Sequence, residues 1–340
     1  MNGINAHGSP SLPIGVIVAG GTLSALAHDP FEVLDYGQAG SLSSRQLIAQ
    51  HGLQERFQFQ PLDFHPVPSF DIGLRQWLKI CAVCNEALLK SPELKGFVLT
   101  HGTGALEETA YVLSLLWSLP VPLIVTGAQR PASAVSSDGW MNFFQAACVA
   151  TSDQVNAGVF VVAHGEIHLP DEVTKTVNFG LDTFRSPDAG PIGQVIGTEV
   201  YLLRQGLSHL QQPLVDWRSL QALPRVDLLY SHAEGDNVAI EAFISAGAQG
   251  IVFAGFAPGY ATGLQARRLE DWIRQEGGIV VAASRAAGAV VNNSRNDGHG
   301  FIPARRLSPV KARLLLQLAL AAGLSKPQIA ALFAEPHKGG

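Results

Sequence analysis

Thr103 stands between two glycines in the run Lys95-Gly-Phe-Val-Leu-Thr-His-Gly-Thr-Gly-Ala-Leu-Glu-Glu-Thr-Ala-Tyr111. The apolar Phe97–Thr100 reads as a buried strand, the glycines as a tight turn, and Ala105 as the opening of a helix. Glycine at 102 and 104 permits backbone angles that other residues resist, and it leaves the hydroxyl unshielded. Glu107 and Glu108 fall in the first helical turn, where carboxylates suit the positive end of the macrodipole. A hydroxyl is thus presented at the carboxyl end of a strand, beside a helix N-terminus that can receive an anion. Taken alone, this is the pattern of an ordinary strand-to-helix turn. A second threonine, Thr22, repeats it: the apolar strand Ile14–Ala19 runs into Gly20-Gly21-Thr22.

The elements that must position these hydroxyls alternate along the chain. Strands are expected at Phe57–Leu62, Val121–Thr126 and Gly158–Ala163, with helices at Trp77–Leu89 and from a Ser137-Asp138 cap through Ala150. Continuous apolar strands between helices indicate a doubly wound parallel sheet. Residues 24–44, around Tyr36, are polar and aperiodic, and read either as a mobile lid or as a loose connection. From about Gly206 to Pro224 the alternation lapses. It resumes with strands at Val226–Tyr230, Ile251–Phe256 and Ile279–Ala283, and helices at Asn237–Ala246, Leu264–Gln275 and Pro309–Ala321. The fold class is α/β, with a larger N-terminal doubly wound parallel-sheet domain and a smaller C-terminal α/β domain. The expected division is a tail at 1–12, a domain at 13–210, a linker at 211–224 and a domain at 225–340.

Composition narrows the function. In 340 residues only 15% are charged and 47% are hydrophobic, an ordered globular balance that points to a buried subunit interface. The net charge is −5 with no basic run, so neither nucleic acid nor an anionic membrane is an expected partner. No apolar stretch is long enough to span a bilayer, and the N-terminus has no secretory pattern, so the expected location is cytoplasmic. Cys81, Cys84 and Cys148 fit neither a disulfide framework nor a zinc site and read as buried thiols. Gly-Gly-Thr lacks the spacing of a dinucleotide fingerprint, and no cofactor or metal is implied.

Several motifs occur together in order: Ala19-Gly-Gly-Thr22, Thr100-His-Gly-Thr103, Leu106-Glu-Glu-Thr-Ala-Tyr111, Gly127-Ala-Gln-Arg-Pro131, Ser137-Asp-Gly139 and Val173-Thr-Lys-Thr176. Leu307-Ser-Pro-Val-Lys-Ala-Arg-Leu-Leu-Leu-Gln-Leu-Ala319 closes the series. With this set the chain resembles the bacterial L-asparaginase/glutaminase family from about residue 13 to 334. The resemblance implies a homodimer or homotetramer with active sites between neighbouring subunits. It makes Thr22 the nucleophile, Tyr36 its activator, Thr103 the second catalytic threonine and Lys175 the lysine paired with it. Ser69 then binds the substrate's α-carboxylate, and the Ala128 carbonyl receives the carboxamide NH₂. Gly102 and Gly104 flank the substrate. A lysine serves as a base only where burial or a second cation destabilises its ammonium.

Three departures concern the substrate's α-ammonium. Gly104 stands where the family has an aspartate, Pro258 where it has an asparagine, and Val290-Val-Asn-Asn-Ser-Arg-Asn296 carries no glutamate. A buried ammonium without a carboxylate costs several kcal/mol or loses its proton. Either another acid substitutes, with Asp71 and Asp297 the nearest candidates, or the substrate has no free α-amino group. The expected activity is hydrolysis of a small amide, or a related lactam or ester, by a threonine nucleophile. The rival readings are a true L-asparaginase and a catalytically inactive binding protein of the same fold.

Overall fold

Unbroken apolar runs form the strands at the centre of the molecule, as expected where helices cover both faces of a sheet. The computed structural model describes residues 13–204 and 213–334. The expected tail at 1–12, and the parts of the expected linker and domain ends at 205–212 and 335–340, lie outside the described residues. Strands β1 (Pro13–Val18), β2 (Gln58–Leu62), β3 (Gly96–Thr100), β4 (Pro122–Thr126) and β5 (Gly158–Ala163) are parallel, in the order β2-β1-β3-β4-β5. Helices α1 (Ser44–Ile48), α2 (Leu74–Lys90), α3 (Leu106–Leu116) and α4 (Gly139–Thr151) fill the four crossovers.

Alternate strand residues serve two cores. Ile17, Phe97, Leu99 and Val125 pack with α2 and α3, whereas Val16, Val18, Val98 and Ile124 pack with α1 and α4. The chain leaves β1 for β2 on one side and returns to β3 on the other, so the strand order reverses between β1 and β3. Open α/β sheets bind ligands at such a switch point, outside the carboxyl ends of the strands. The register aligns Val18 with Thr100 and Thr100 with Thr126. The turns after β1, β3 and β4 therefore emerge side by side.

Beyond β5 the sheet is no longer parallel, which the sequence pattern did not anticipate. His164 and Gly165, with φ of 52° and 80°, make a two-residue turn into the antiparallel β6 (Glu166–His168). Positive φ at both positions matches the twist of a tight hairpin. A small ribbon, β7 (Thr174–Lys175) with β8 (Phe184–Arg185), precedes β9 (Gly193–Ile196) and β10 (Glu199–Leu202), which complete the eight-stranded sheet.

The smaller sheet is parallel throughout: β11 (Val226–Tyr230), β12 (Gly250–Gly255), β13 (Ile279–Ser284) and β14 (Ile302–Pro303). Helices α5 (Val238–Ser245) and α6 (Gly263–Glu276) pack on one face. After the short α7 (Ser294–Gly298), α8 (Pro309–Ala321) lies between the other face and α3, followed by α9 (Lys326–Ala334). Leu314, Leu315, Leu316 and Leu318 of α8 are fully buried and belong to the same core as α3. Each such side chain contributes about 1.5–3 kcal/mol on burial, so α8 ties the two sheet regions together.

Two expectations need correction. The helix expected from Trp77 starts at Leu74, because the Gln76 side-chain oxygen accepts the Gly73 N–H at 3.2 Å and secures an extra turn. Asp138 occupies the N-cap position of α4, but its side chain does not cap the helix. Its carboxylate instead accepts the backbone N–H groups of Gln129 and Arg130 at 3.0 Å each. Cys81, Cys84 and Cys148 are buried free thiols, and burial pushes the Cys81 pKa up to about 12.

Candidate active site

Backbone contact, rather than side chains, sets the spacing of the two threonine turns. Gly20 and Gly21 adopt φ of 106° and 89°, where other residues are strained. A Cβ on Gly21 would lie 2.3 Å from the Gly102 Cα, so the turn after β1 rests directly on the turn after β3. A Cβ on Gly102 would lie 2.8 Å from the Ser69 Oγ. Neither Gly102 nor Gly104 has positive φ. Glycine at 102 is there for close approach and not, as the sequence implied, for unusual angles.

Each threonine hydroxyl has a specific partner. Thr22 Oγ1 lies 2.7 Å from the Tyr36 hydroxyl, and Thr22 is buried. The 24–44 segment that carries Tyr36 is neither loose nor unattached. Leu26 N donates to Gly40 O, Leu42 N to Ser24 O, and Ala27 N to Ser133 Oγ, at 2.8–2.9 Å. Thr103, also buried, receives a hydrogen bond from Lys175 Nζ at 2.8 Å. The Gln129 side-chain oxygen accepts from both, at 3.3 Å from Thr103 Oγ1 and 3.3 Å from Lys175 Nζ. Its amide nitrogen donates to the carbonyls of Asn178 and Gly180, which fixes the oxygen toward the lysine. Burial pulls the Lys175 pKa below the ordinary lysine value, enlarging its neutral fraction.

The lysine is held from behind. Glu107 Oε1 accepts from Thr174 Oγ1 and from Lys175 N, both at 3.1 Å. Lys311, on α8 and 1% exposed, sits 3.6 Å from Glu107 Oε2 and donates to the Val173 carbonyl. Burial lowers the Lys311 pKa, and the neighbouring Glu107 and Asp171 act in the opposite sense. His101 supports the Thr103 turn from the other side. Its Nδ1 faces the Gly102 carbonyl at 2.8 Å, which requires a proton there. Nε2 is then the acceptor for Thr109 Oγ1 at 3.0 Å, and Trp77 Nε1 donates to the same hydroxyl at 3.1 Å. Burial lowers the His101 pKa to about 4, so the ring is a neutral structural group.

The side expected to meet an α-ammonium is different in kind. Gly104 is exposed, and a Cβ placed there would meet only Ser69 Oγ, at 3.0 Å. Both residues line a cavity of about 430 Å³ that extends to Trp77 and Leu314. The carboxylate on its wall is Glu108; Asp71 and Asp297 are exposed and do not line it. Pro258 is exposed after a cis peptide, and Asn296 donates to Gly259 O at 3.0 Å, holding the 290–296 loop in place. Ala128 is buried against Gly139, whose added Cβ would lie 3.2 Å from it. Thus Thr22 with Tyr36, Thr103 with Lys175, and Ser69 with Gly102 and Gly104 come together around contiguous turns.

Sequence reading missed three residues that shape this arrangement. Gln129 was visible only as part of the Gly127-Ala-Gln-Arg-Pro131 motif. Glu107 was read as a partner of the helix dipole, and Lys311 as one residue of the closing motif. Their signal is a charged or amide residue inside an otherwise apolar or turn-forming run. Among the described residues no group of three or more His, Cys, Asp or Glu is placed to hold a metal ion, and no helix is long and apolar enough to cross a membrane.

Comparison with known proteins fits this architecture. Residues 13–207 match the asparaginase N-terminal family model, and residues 225–333 match the glutaminase/asparaginase C-terminal domain. The chain is 31% identical over 329 residues to a glutaminase-asparaginase of Pseudomonas fluorescens, covering 94% of this chain and 89% of the relative. It is 33% identical over 325 residues to a probable periplasmic L-asparaginase of Haemophilus influenzae, covering 94% and 91%. The crystal structure of a probable cytoplasmic L-asparaginase from Campylobacter jejuni superposes with a TM-score of 0.87 at 29% identity, covering 95% of this chain and 99% of that one. With both family models matched in order, the chain belongs to the asparaginase family of amidohydrolases, enzymes that act on amide carbon–nitrogen bonds.

Proposed function

We propose that this enzyme hydrolyses a small carboxamide through a threonyl ester, and that its substrate lacks a free α-amino group. The observation that carries the first part is the pair of hydroxyl contacts, Thr22 with Tyr36 and Thr103 with Lys175, on turns whose backbones touch. Thr22 Oγ attacks the amide carbon while Tyr36 accepts its hydrogen bond. The carbon–nitrogen bond breaks and ammonia leaves with the proton. Water then attacks the ester, giving its proton through Thr103 to the neutral Lys175 amine across the same 2.8 Å contact; the ester carbon–oxygen bond breaks, the carboxylic acid leaves, and the proton returns to Thr22 Oγ. Backbone N–H groups of the two threonine turns stabilise the oxyanion. Gln129 keeps the lysine aimed at Thr103 without supplying a negative charge, the role the resemblance gives to an aspartate.

The second part rests on Gly104, Pro258 and the 290–296 loop, which bring no carboxylate to the α-position. The relatives' names favour a second reading, a true L-asparaginase that releases aspartate and ammonia. Ammonia release from succinamic acid and from L-asparagine separates the two. Succinamic acid is expected to have the higher kcat/KM, and the quenched reaction is expected to contain acyl enzyme on the Thr22 peptide. Selective hydrolysis of L-asparagine would overturn the substrate reading, and no acyl enzyme in any form would overturn the nucleophile.

We also infer that a second copy completes the site, with the division between domains in the 211–224 connection. Phe31, Leu34 and Phe179, beside the Tyr36 and Lys175 segments, are 78%, 71% and 76% exposed, a surface suited to such a partner. Sedimentation showing a fully active monomer at assay concentration would rule this out.

A further inference from the structure

We propose that the cavity beside Gly104 is an acyl subsite, so that the substrate class is a side-chain carboxamide whose α-nitrogen is itself acylated, such as an N-acyl-asparagine. This rests on the reading above, in which Ser69 and Gly104 flank the substrate's α-carbon. Acylation removes the ammonium charge for which Gly104, Pro258 and the 290–296 loop supply no counter-ion, and it adds a group that needs room. The room is there. The absence of a side chain at Gly104 opens the α-position onto about 430 Å³, several times the volume of an acetyl group. Ile72, Trp77 and Leu314 supply apolar walls for the acyl chain.

The cavity wall also supplies an acceptor for an amide N–H. Glu108, in the first turn of α3, lines the cavity, and no described residue hydrogen-bonds its carboxylate. It is half-buried, and burial followed by the Glu107 charge raises its pKa. Arg313 lines the same cavity, its Nε committed to Val226 O at 2.8 Å, and its charge acts on Glu108 in the opposite sense, so the guanidinium already offsets the carboxylate that a free ammonium would need. A carboxylate so placed accepts an N–H, while the neighbouring guanidinium discriminates against a free ammonium.

Ammonia release is measured for succinamic acid and for N-acetyl-, N-butyryl- and N-hexanoyl-L-asparagine. The acylated compounds are expected to exceed succinamic acid by roughly tenfold or more. The kcat/KM is expected to rise about threefold per methylene until the cavity fills. Within one preparation of Ile72→Trp, the butyryl-to-succinamic ratio should fall about tenfold. Within Glu108→Leu, the N-acetyl-to-succinamic ratio should fall similarly, since succinamic acid has no α N–H. Ratios within one preparation cancel any loss of folded protein. Turnover of succinamic acid with no gain from acyl groups would overturn the subsite and leave the amidase reading standing. Ammonia from none of the compounds would overturn both.

Discussion

The two sides of the candidate site are built on opposite principles. On the reacting side each threonine hydroxyl has a partner: Tyr36 meets Thr22, and Lys175 and Gln129 meet Thr103. Glu107 and Lys311 stand behind them as a buried pair. On the α-side Gly104 brings no side chain, a cavity lies beside it, and the Glu108 carboxylate is left without a hydrogen-bond partner among the described residues. Catalysis depends on angles and on fractions of an ångström, and so demands a completed network. On the proposed reading specificity is set by what the pocket omits, which permits a change of substrate without a change of chemistry.

The largest effect should come from the reacting side. Thr22→Ala or Thr103→Val is expected to lower kcat by a factor of about 10³ or more while thermal melting stays near that of the parent, as for loss of a nucleophile or its base. Near-normal turnover in both variants would dissolve the contrast and favour a binding protein. Lys311→Met tests whether the buried pair supports that side. It leaves Glu107 without its cation, and urea unfolding should show a loss of about 3–5 kcal/mol.

On the α-side the expected change is smaller and opposite in sign. Gly104→Asp should shift the ratio of kcat/KM for L-asparagine over succinamic acid upward by about ten- to hundredfold, the effect of one restored charge pair. An unchanged ratio would mean that the α-group lies elsewhere.

The smallest effect concerns Gln129. Its carbonyl oxygen faces the Lys175 ammonium and favours the charged form, so Gln129→Met should lower the lysine pKa further. The rate rises as the lysine loses its proton, so the acidic limb of the pH–rate profile should move to lower pH. One lost hydrogen bond corresponds to a shift of about 0.4–1 unit. Movement to higher pH would show that Gln129 serves the neutral amine instead.

The contrast also marks what could be read in advance. Strands such as Val121–Thr126 and Gly158–Ala163 were legible because both faces of the sheet are covered, leaving runs with no polar break. The antiparallel β6, β9 and β10 were not, since a turn at His164-Gly165 carries little periodic signal. Thr22, Thr103 and Lys175 were visible in glycine settings and ordered motifs. Gln129 and Lys311 were not, because their roles depend on partners 46 and 138 residues away in the chain. The Ser137-Asp138 motif looked like a helix cap, but its carboxylate instead holds the Gln129 turn, a long-range use that local pattern cannot reveal.

The contact between Gly21 and Gly102 has a consequence for how such a sequence drifts. Nearly any substitution at Gly21 must push the two hydroxyl turns apart, and one at Gly102 must displace Ser69, so this seam is closed to exploration. Position 104, a single residue beyond Thr103, meets only one serine hydroxyl and is open to it. A descendant of this chain can therefore sample new substrates by single steps at its rim while its chemistry is inherited intact. A library randomised at 104, 72 and 108 would explore function where one randomised at 21 and 102 would mostly return inactive protein.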